Sequence, residues 1–263
     1  MTKWLHILYM LGAILSLSAC KDVFNNLYDD EHQEVVLKEG QLYIDASSWT
    51  DWHYINFNTT TDNVVKVGIP VEPLISEDTE SSENSDNSES SDNSEDTHPS
   101  GIYTYWYDVF GEGLDNHKFH SFTPTAPQPD PENWHIAVHR NNVRTNGGEV
   151  LETSYWMMEQ LPESSEAFKD STFTADVWNE LDVWVVKEQM LQGYIGNQGI
   201  KVNPVLSSWL KVEIPPMPPL FTRNSHIFIV HFPDDTYAAL QLENYMNNKG
   251  IKCCLTINYK YPY

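Results

Sequence analysis

The stretch that decides the fold is NWHIAVH, residues 133–139. Its side chains alternate: Trp134, Ile136 and Val138 fall on one face of an extended chain, and His135, Ala137 and His139 on the other. A period of two predicts a strand rather than a helix. The same pattern recurs outward from it. HIFIVH at 226–231 and YAALQL at 237–242 flank a Pro-Asp-Asp turn at 233–235 and predict a hairpin. In CLTINYKY at 254–261, Leu255, Ile257, Tyr259 and Tyr261 share one face. VWVV at 183–186 is a continuous apolar run, expected as a buried strand. GIYTYWYDVF at 101–110 is another strand, and QLYIDASSWTDWHYINFNT at 41–59 predicts two strands around a Ser-Ser turn. Four prolines, Pro124, Pro127, Pro129 and Pro131, mark a loop over 121–133. Long helical periodicity is missing; a short helix is expected within 154–169. The fold class is therefore mainly β: an antiparallel sheet domain with short helical segments and long loops.

Composition narrows the partners. The formal net charge is −23, which repels phosphate and excludes nucleic acid as a ligand. The aromatic residues (9 Trp, 14 Tyr and 10 Phe) suffice for a large core or a flat-ligand slot. Between Ser76 and Thr97 stand nine carboxylates with no base and no apolar residue. Such a run cannot bury surface to offset ordering entropy, so an acidic insertion at 76–100 is expected to be disordered. It also lacks the central glycine of a calcium-binding EF-hand loop. Cys253 and Cys254 are neighbours, and a bridge between them would close a strained ring.

The first nineteen residues combine Lys3, an apolar run from Trp4 to Leu17 and small residues ahead of Cys20. That run is too short to span a bilayer and has the layout of a cleaved signal. The order Leu17-Ser18-Ala19-Cys20 resembles a bacterial lipobox, in which Cys20 is acylated and becomes the new N-terminus. Residues 1–19 are thus expected to be a lipoprotein signal peptide, 20–34 a polar tether and 35–263 a single β domain. Lys21 after the cysteine favours the outer membrane as destination.

Motifs for catalysis are lacking: there is no G-x-S-x-G, H-E-x-x-H or P-loop, so no enzyme is expected. His117 and His120 lie three apart beside Asp115, without an identifiable third metal ligand. His135 and His139 would stand on one strand face about 13 Å apart, too far to share an ion. More informative is EIPPMPPLF at 213–221, where Met217 sits between proline pairs. Proline fixes φ and removes donors, so this is a stiff loop. Methionine usually fills irregular core gaps, so packing remains the simpler account of Met217 taken alone. Met190 sits in a polar, Gly-rich stretch after VWVV.

One segment resembles a known family. ENWHIAVHRNNVRTNGGE at 132–149 is similar to the signature of HmuY-type haem-binding lipoproteins, matched at Trp134, Ala137, His139, Arg140, Arg144, Asn146 and Gly148. WHYINF at 52–57, SSWL at 207–210 and the closing strands to the Tyr-x-Tyr-Pro end resemble the same family. The departures are His135 where the family usually has Asp, the acidic insertion, the long 101–131 region and the proline-rich second loop. The resemblance implies an all-β fold of HmuY type that holds haem in a cleft and passes it to a TonB-dependent outer-membrane receptor. It also implies two axial ligands, from loops corresponding to 187–199 and 211–221. Neither loop holds a histidine and each holds one methionine, so the implied ligands are Met190 and Met217, with Tyr194, Trp209 and Phe221 as pocket walls. Two such sulfurs would face each other about 4.6 Å apart across the iron, twice a ~2.3 Å metal–sulfur bond. His139 and Arg140 are expected to be structural. The other function class open to this fold is a surface lipoprotein for adhesion or a different ligand.

Overall fold

The computed structural model describes residues 36–59, 64–74, 101–108, 118–213 and 218–263. The expected signal peptide, Cys20, the expected tether, all of the acidic insertion at 76–100, His117 and Met217 lie outside them. In chain order the strands are β1 (Gln41–Asp45), β2 (Asp51–Ile55), β3 (Val64–Gly68), β4 (Tyr103–Asp108), β5 (Lys118–Pro124), β6 (Ile136–His139), β7 (Asn142–Thr145), β8 (Glu149–Glu152) and β9 (Thr174–Ala175). They continue as β10 (Val177–Asn179), β11 (Trp184–Val186), β12 (Tyr194–Gln198), β13 (Ile200–Val202), β14 (Leu210–Glu213), β15 (Leu220–Arg223), β16 (Phe228–His231), β17 (Tyr237–Met246) and β18 (Lys252–Lys260). Every pairing is antiparallel. The fold is mainly β, as the alternation predicted.

A six-stranded sheet in the order β1-β18-β17-β16-β8-β9 forms the backbone of the domain. Its β16–β17 hairpin turns at the Pro-Asp-Asp segment, with Phe228 opposite Leu240. Two four-stranded sheets, β3-β2-β6-β7 and β11-β12-β4-β5, and two hairpin-like pairs, β10-β13 and β14-β15, complete the described set. The main core takes Phe228, Val230, Leu240, Leu242, Leu255 and Ile257 from the large sheet, and Ile136, Val138 and Val143 from β6 and β7. Most of these side chains are fully buried, and each contributes about 1.5–3 kcal/mol relative to exposure. A second cluster on the other face of β6 joins Ala137 to Trp52, Tyr54, Trp134, Val183 and Val185.

The deciding stretch forms its strand, but two of its residues change sides. Ile136 and Val138 enter the main core, whereas Trp134 joins the cluster on the opposite face with Ala137. His135 packs with Phe57, Phe232 and Tyr261, away from His139. The reason is a bend at His135, ahead of the first paired residue Ile136, which breaks the parity. The two histidines therefore do not share a face. All four residues of β6 are buried because both faces are covered.

The Ser-Ser segment is also not a hairpin. β1 pairs with β18, and β2 pairs with β3 and β6, so the turn hands the chain from one sheet to another. Asp45 fixes that corner by accepting hydrogen bonds from the Ser47 amide (3.1 Å) and hydroxyl (2.6 Å). VWVV is buried only on alternate residues, Val183 and Val185. The short helix expected within 154–169 appears as two single 3₁₀ turns, Met158–Gln160 and Ser165–Phe168. Cys253 and Cys254 are both free thiols and both buried.

The matched signature residues after His135 are structural. His139 is fully buried and its Nε2–H donates to the Trp49 carbonyl at 3.1 Å. Arg140 turns β6 into β7 with φ +55°, a conformation that costs a non-glycine residue. Its guanidinium offsets this by donating to the Ser47 carbonyl (2.9 Å) and lying 4.0 Å over the Trp49 ring. Arg144 grips Asp130 with two nitrogens, each at 3.0 Å, and so pins the proline-rich loop.

Candidate functional site

Met190 opens a single 3₁₀ turn, Met190–Gln192, between β11 and β12. Gly193 ends it at φ +95°, donating to the Met190 carbonyl at 3.0 Å, and the Tyr194 amide closes onto the Gln189 carbonyl at 3.1 Å. A left-handed glycine is the usual way to stop so short a turn. The turn holds Leu191 almost entirely in solvent, 94% exposed, while the half-buried Met190 packs inward. Its neighbours are Tyr105, Tyr107 and Ile195, flanked by Tyr103, Phe119 and Trp184. These side chains project from one face of β4, β12, β5 and β11 because cross-strand partners such as Ile195 and Tyr107 share a face.

This aromatic face carries a buried carboxylate. Glu180 is 8% exposed and accepts hydrogen bonds from the Trp178 indole and the Tyr105 phenol. Burial raises the phenol pKa values of Tyr105 and Tyr107, and the charge of Glu180 raises them further, so both stay protonated. Gly199 lets the rings approach: a Cβ there would collide with Tyr105 and stand 2.8 Å from Trp178. Tyr194 lies at the start of β12 with its ring 4.6 Å from that of His120 on β5. On the Tyr194 face of this sheet, the Trp106 indole nitrogen is buried without a hydrogen-bond partner among the described residues. His120 has no metal-binding company: no group of three or more His, Cys, Asp or Glu side chains arranged for a metal occurs among the described residues.

The second expected loop belongs to the β14–β15 hairpin. Its strands are in register from Leu210 opposite Arg223 to Glu213 opposite Leu220, and residues 214–217, with Met217, lie outside the described residues. Asn203 caps the preceding helix α1 (Pro204–Ser207) by accepting from the Leu206 amide at 2.9 Å, with Pro204 in the first turn. This cap delivers Trp209 into the main core, fully buried, with its indole donating to the Asn141 carbonyl at 3.2 Å. Phe221 is half-buried at the edge of that core, stacked on Tyr245 at 6.0 Å with planes 10° apart. Met190 and Tyr194 thus lie at the first loop, while Trp209 and Phe221 belong to the region of the second.

The donor chemistry suits a soft iron centre. Thioether sulfur is neutral, so it needs no proton loss to coordinate. Phenols, indoles and aliphatic side chains beside Met190 suit an apolar porphyrin plate. Met190 would offer the iron a sulfur from the first loop. Sequence reasoning missed Tyr105, Tyr107 and Glu180. The aromatic alternation of YTYWY at 103–107 was the available signal for the tyrosines, whereas Glu180 gives none, because nothing local separates a buried acid from the many exposed ones.

A family model described as HmuY protein matches residues 48–259. Among solved structures, a chain from Bacteroides vulgatus provisionally assigned as an HmuY-like haem-binding protein superposes with a TM-score of 0.58 at 28% identity, covering 85% of this chain and 91% of its own. A provisionally assigned lipoprotein from Bacteroides fragilis gives a TM-score of 0.55 at 27% identity over 87% of this chain and 93% of its own. The apo HmuY analogue of Tannerella forsythia shares the fold, with a TM-score of 0.55 at 22% identity over 83% and 93% of the two chains. Among curated proteins none matches.

Proposed function

The chain belongs to the HmuY family, and from that premise we propose that it is a haem-binding lipoprotein, a carrier rather than an enzyme. The observation that carries the proposal is Met190, a half-buried thioether on a single turn packed against a sheet face of tyrosines, at the loop where the family resemblance implies an iron ligand. Met217, from the segment between β14 and β15, would be the partner ligand. Haem, when bound, would supply a Lewis-acidic iron that accepts soft donors. Met190 would offer it a sulfur, with Tyr105, Tyr107 and Phe119 packed behind that side chain and Glu180 accepting from the Tyr105 phenol. Tyr194 and Phe221 bound the plate, and Trp209 holds the second hairpin against the core. Acylation of Cys20 would tether the carrier to the outer membrane, close to a TonB-dependent receptor that takes the haem onward. Tethering raises the effective concentration of cargo at that receptor. Support for a lipid anchor comes from the Leu17–Cys20 pattern and from a similar chain provisionally assigned as a lipoprotein.

Thioether ligation favours ferrous iron and has no proton to compete with it near neutral pH. Haem uptake should therefore be tighter after reduction and nearly flat from mildly acid to neutral pH. An absorbance titration of the full chain in both redox states tests this. Absence of a Soret shift in either state rejects haem binding. A shift that survives the double change Met190→Ala, Met217→Ala rejects the ligand pair while leaving haem binding intact.

A further inference from the structure

A dianionic ligand such as haem meets a difficulty on this chain, whose net charge of −23 repels it. It needs a local cation that is not already neutralised. Most cations near the second loop are committed: Lys211 to Glu213 at 2.6 Å, and Arg223 to the Leu242 carbonyl at 3.1 Å, with Glu243 at 4.0 Å. Lys252 is different. It is half-buried at the first position of β18, directly across from Met246 on β17. Its ammonium stands 5.6 Å from the centre of the Phe221 ring and 5.0 Å from that of Tyr245, and donates to the Met246 sulfur at 2.7 Å. No described carboxylate pairs with it. Ring faces and a thioether attract a cation without cancelling its charge, and a thioether is a weak acceptor that satisfies at most one of three N–H donors. The parallel Phe221–Tyr245 stack also fixes where the ammonium sits, so little side-chain entropy remains to be lost on binding.

We propose that the Lys252–Phe221–Tyr245–Met246 corner is an anion subsite that takes a carboxylate of the bound ligand. It rests on the haem reading, under which the carboxylate is a haem propionate and Lys252 selects for free acid over ester. Phe221, one of the expected pocket walls, then meets the porphyrin edge while the lysine beside it meets the acid.

The test compares haem with haem dimethyl ester, which has the same plate and iron but no carboxylates. Both are titrated by absorbance into the full chain, as wild type, Lys252→Gln and Lys252→Arg. Wild type should bind haem about tenfold more tightly than the ester, the value of a charge-assisted hydrogen bond. Lys252→Gln should lose that preference while keeping its affinity for the ester, and Lys252→Arg should retain it. Equal loss of both ligands in Lys252→Gln, or unchanged haem affinity, overturns the subsite and makes Lys252 a packing residue. If wild type binds the ester and haem equally, the selection is refuted although haem binding stands. If wild type binds neither, the haem reading fails and the subsite fails with it.

Discussion

The six-stranded sheet and the four-stranded sheet β11-β12-β4-β5 are built to opposite rules. The first buries branched aliphatic side chains and Phe228 completely. The second buries phenols, a carboxylate and part of a thioether, and leaves Leu191 in solvent beside it. An aliphatic core gains by excluding everything, since each displaced water adds to stability. An aromatic face with polar tips gives up some of that gain, because each buried phenol or carboxylate must be taken out of water. The difference bears on where tolerance to change should lie: the aliphatic core of the large sheet carries stability, and under the proposed function the face beside Met190 carries part of the recognition.

The largest expected effect separates the two directly. Phe228→Ala removes a fully buried ring from the large sheet and should destabilise the chain by about 3–5 kcal/mol in urea unfolding. The fraction that remains folded should bind haem with unchanged affinity. A haem defect larger than the loss of folded protein would erase the division of labour.

Next comes acid. Burial pushes the His139 pKa down to about 4, so the folded state keeps it neutral while the unfolded chain protonates near 6.5. Stability from this group is complete above pH 6.5 and is lost as pH falls toward 4, by about 3 kcal/mol in all. His53 and His135, also lowered by burial, act in the same direction. His231 acts in the opposite sense: burial opposes its charge, but hydrogen bonds to Asp235 and Glu149 raise its pKa. Its contribution is present below pH 6.5 and fades as pH rises. Urea midpoints at pH 7 and pH 4.5 should therefore differ, and His139→Gln, which keeps a donor for the Trp49 carbonyl, should narrow the gap. An unaltered gap would mean that another group governs acid sensitivity. Haem affinity per folded molecule should not follow this decline.

The smallest effect on stability should be the most local. Gly199→Ala forces a methyl against Tyr105 and Trp178, a crowding that typically costs about 1–3 kcal/mol. It should change the near-ultraviolet dichroism of the aromatic face and weaken haem uptake by more than its effect on stability. A variant that binds haem normally would show that Tyr105 does not shape the site.

Much of this contrast was legible in the sequence, and the rest was hidden for identifiable reasons. The β16–β17 hairpin and the face of β18 follow from alternation and one turn, both local. The partner of β1 does not: Gln41 pairs with Asn258, and no local pattern specifies a pairing across so long a separation. Trp134 and His135 were assigned to the wrong faces because alternation assumes a straight strand, and the chain bends just before Ile136. Met190 stood out only through the resemblance, since a lone methionine after an apolar run reads as packing. Lys252 gave no signal, because its significance lies in the two rings brought against it from β15 and β17.

The pairing of β1 with β18 also sets a timetable. Gln41 and Asn258, joined by a 2.7 Å side-chain hydrogen bond, are separated by 217 positions. During synthesis, β1 emerges early and must wait for its β18 partner until nearly the whole chain has followed it. Closing so long a loop adds only a slowly growing entropy, so the wait is tolerable in equilibrium terms. In time, however, it leaves β1 without its β18 partner until the last strand arrives.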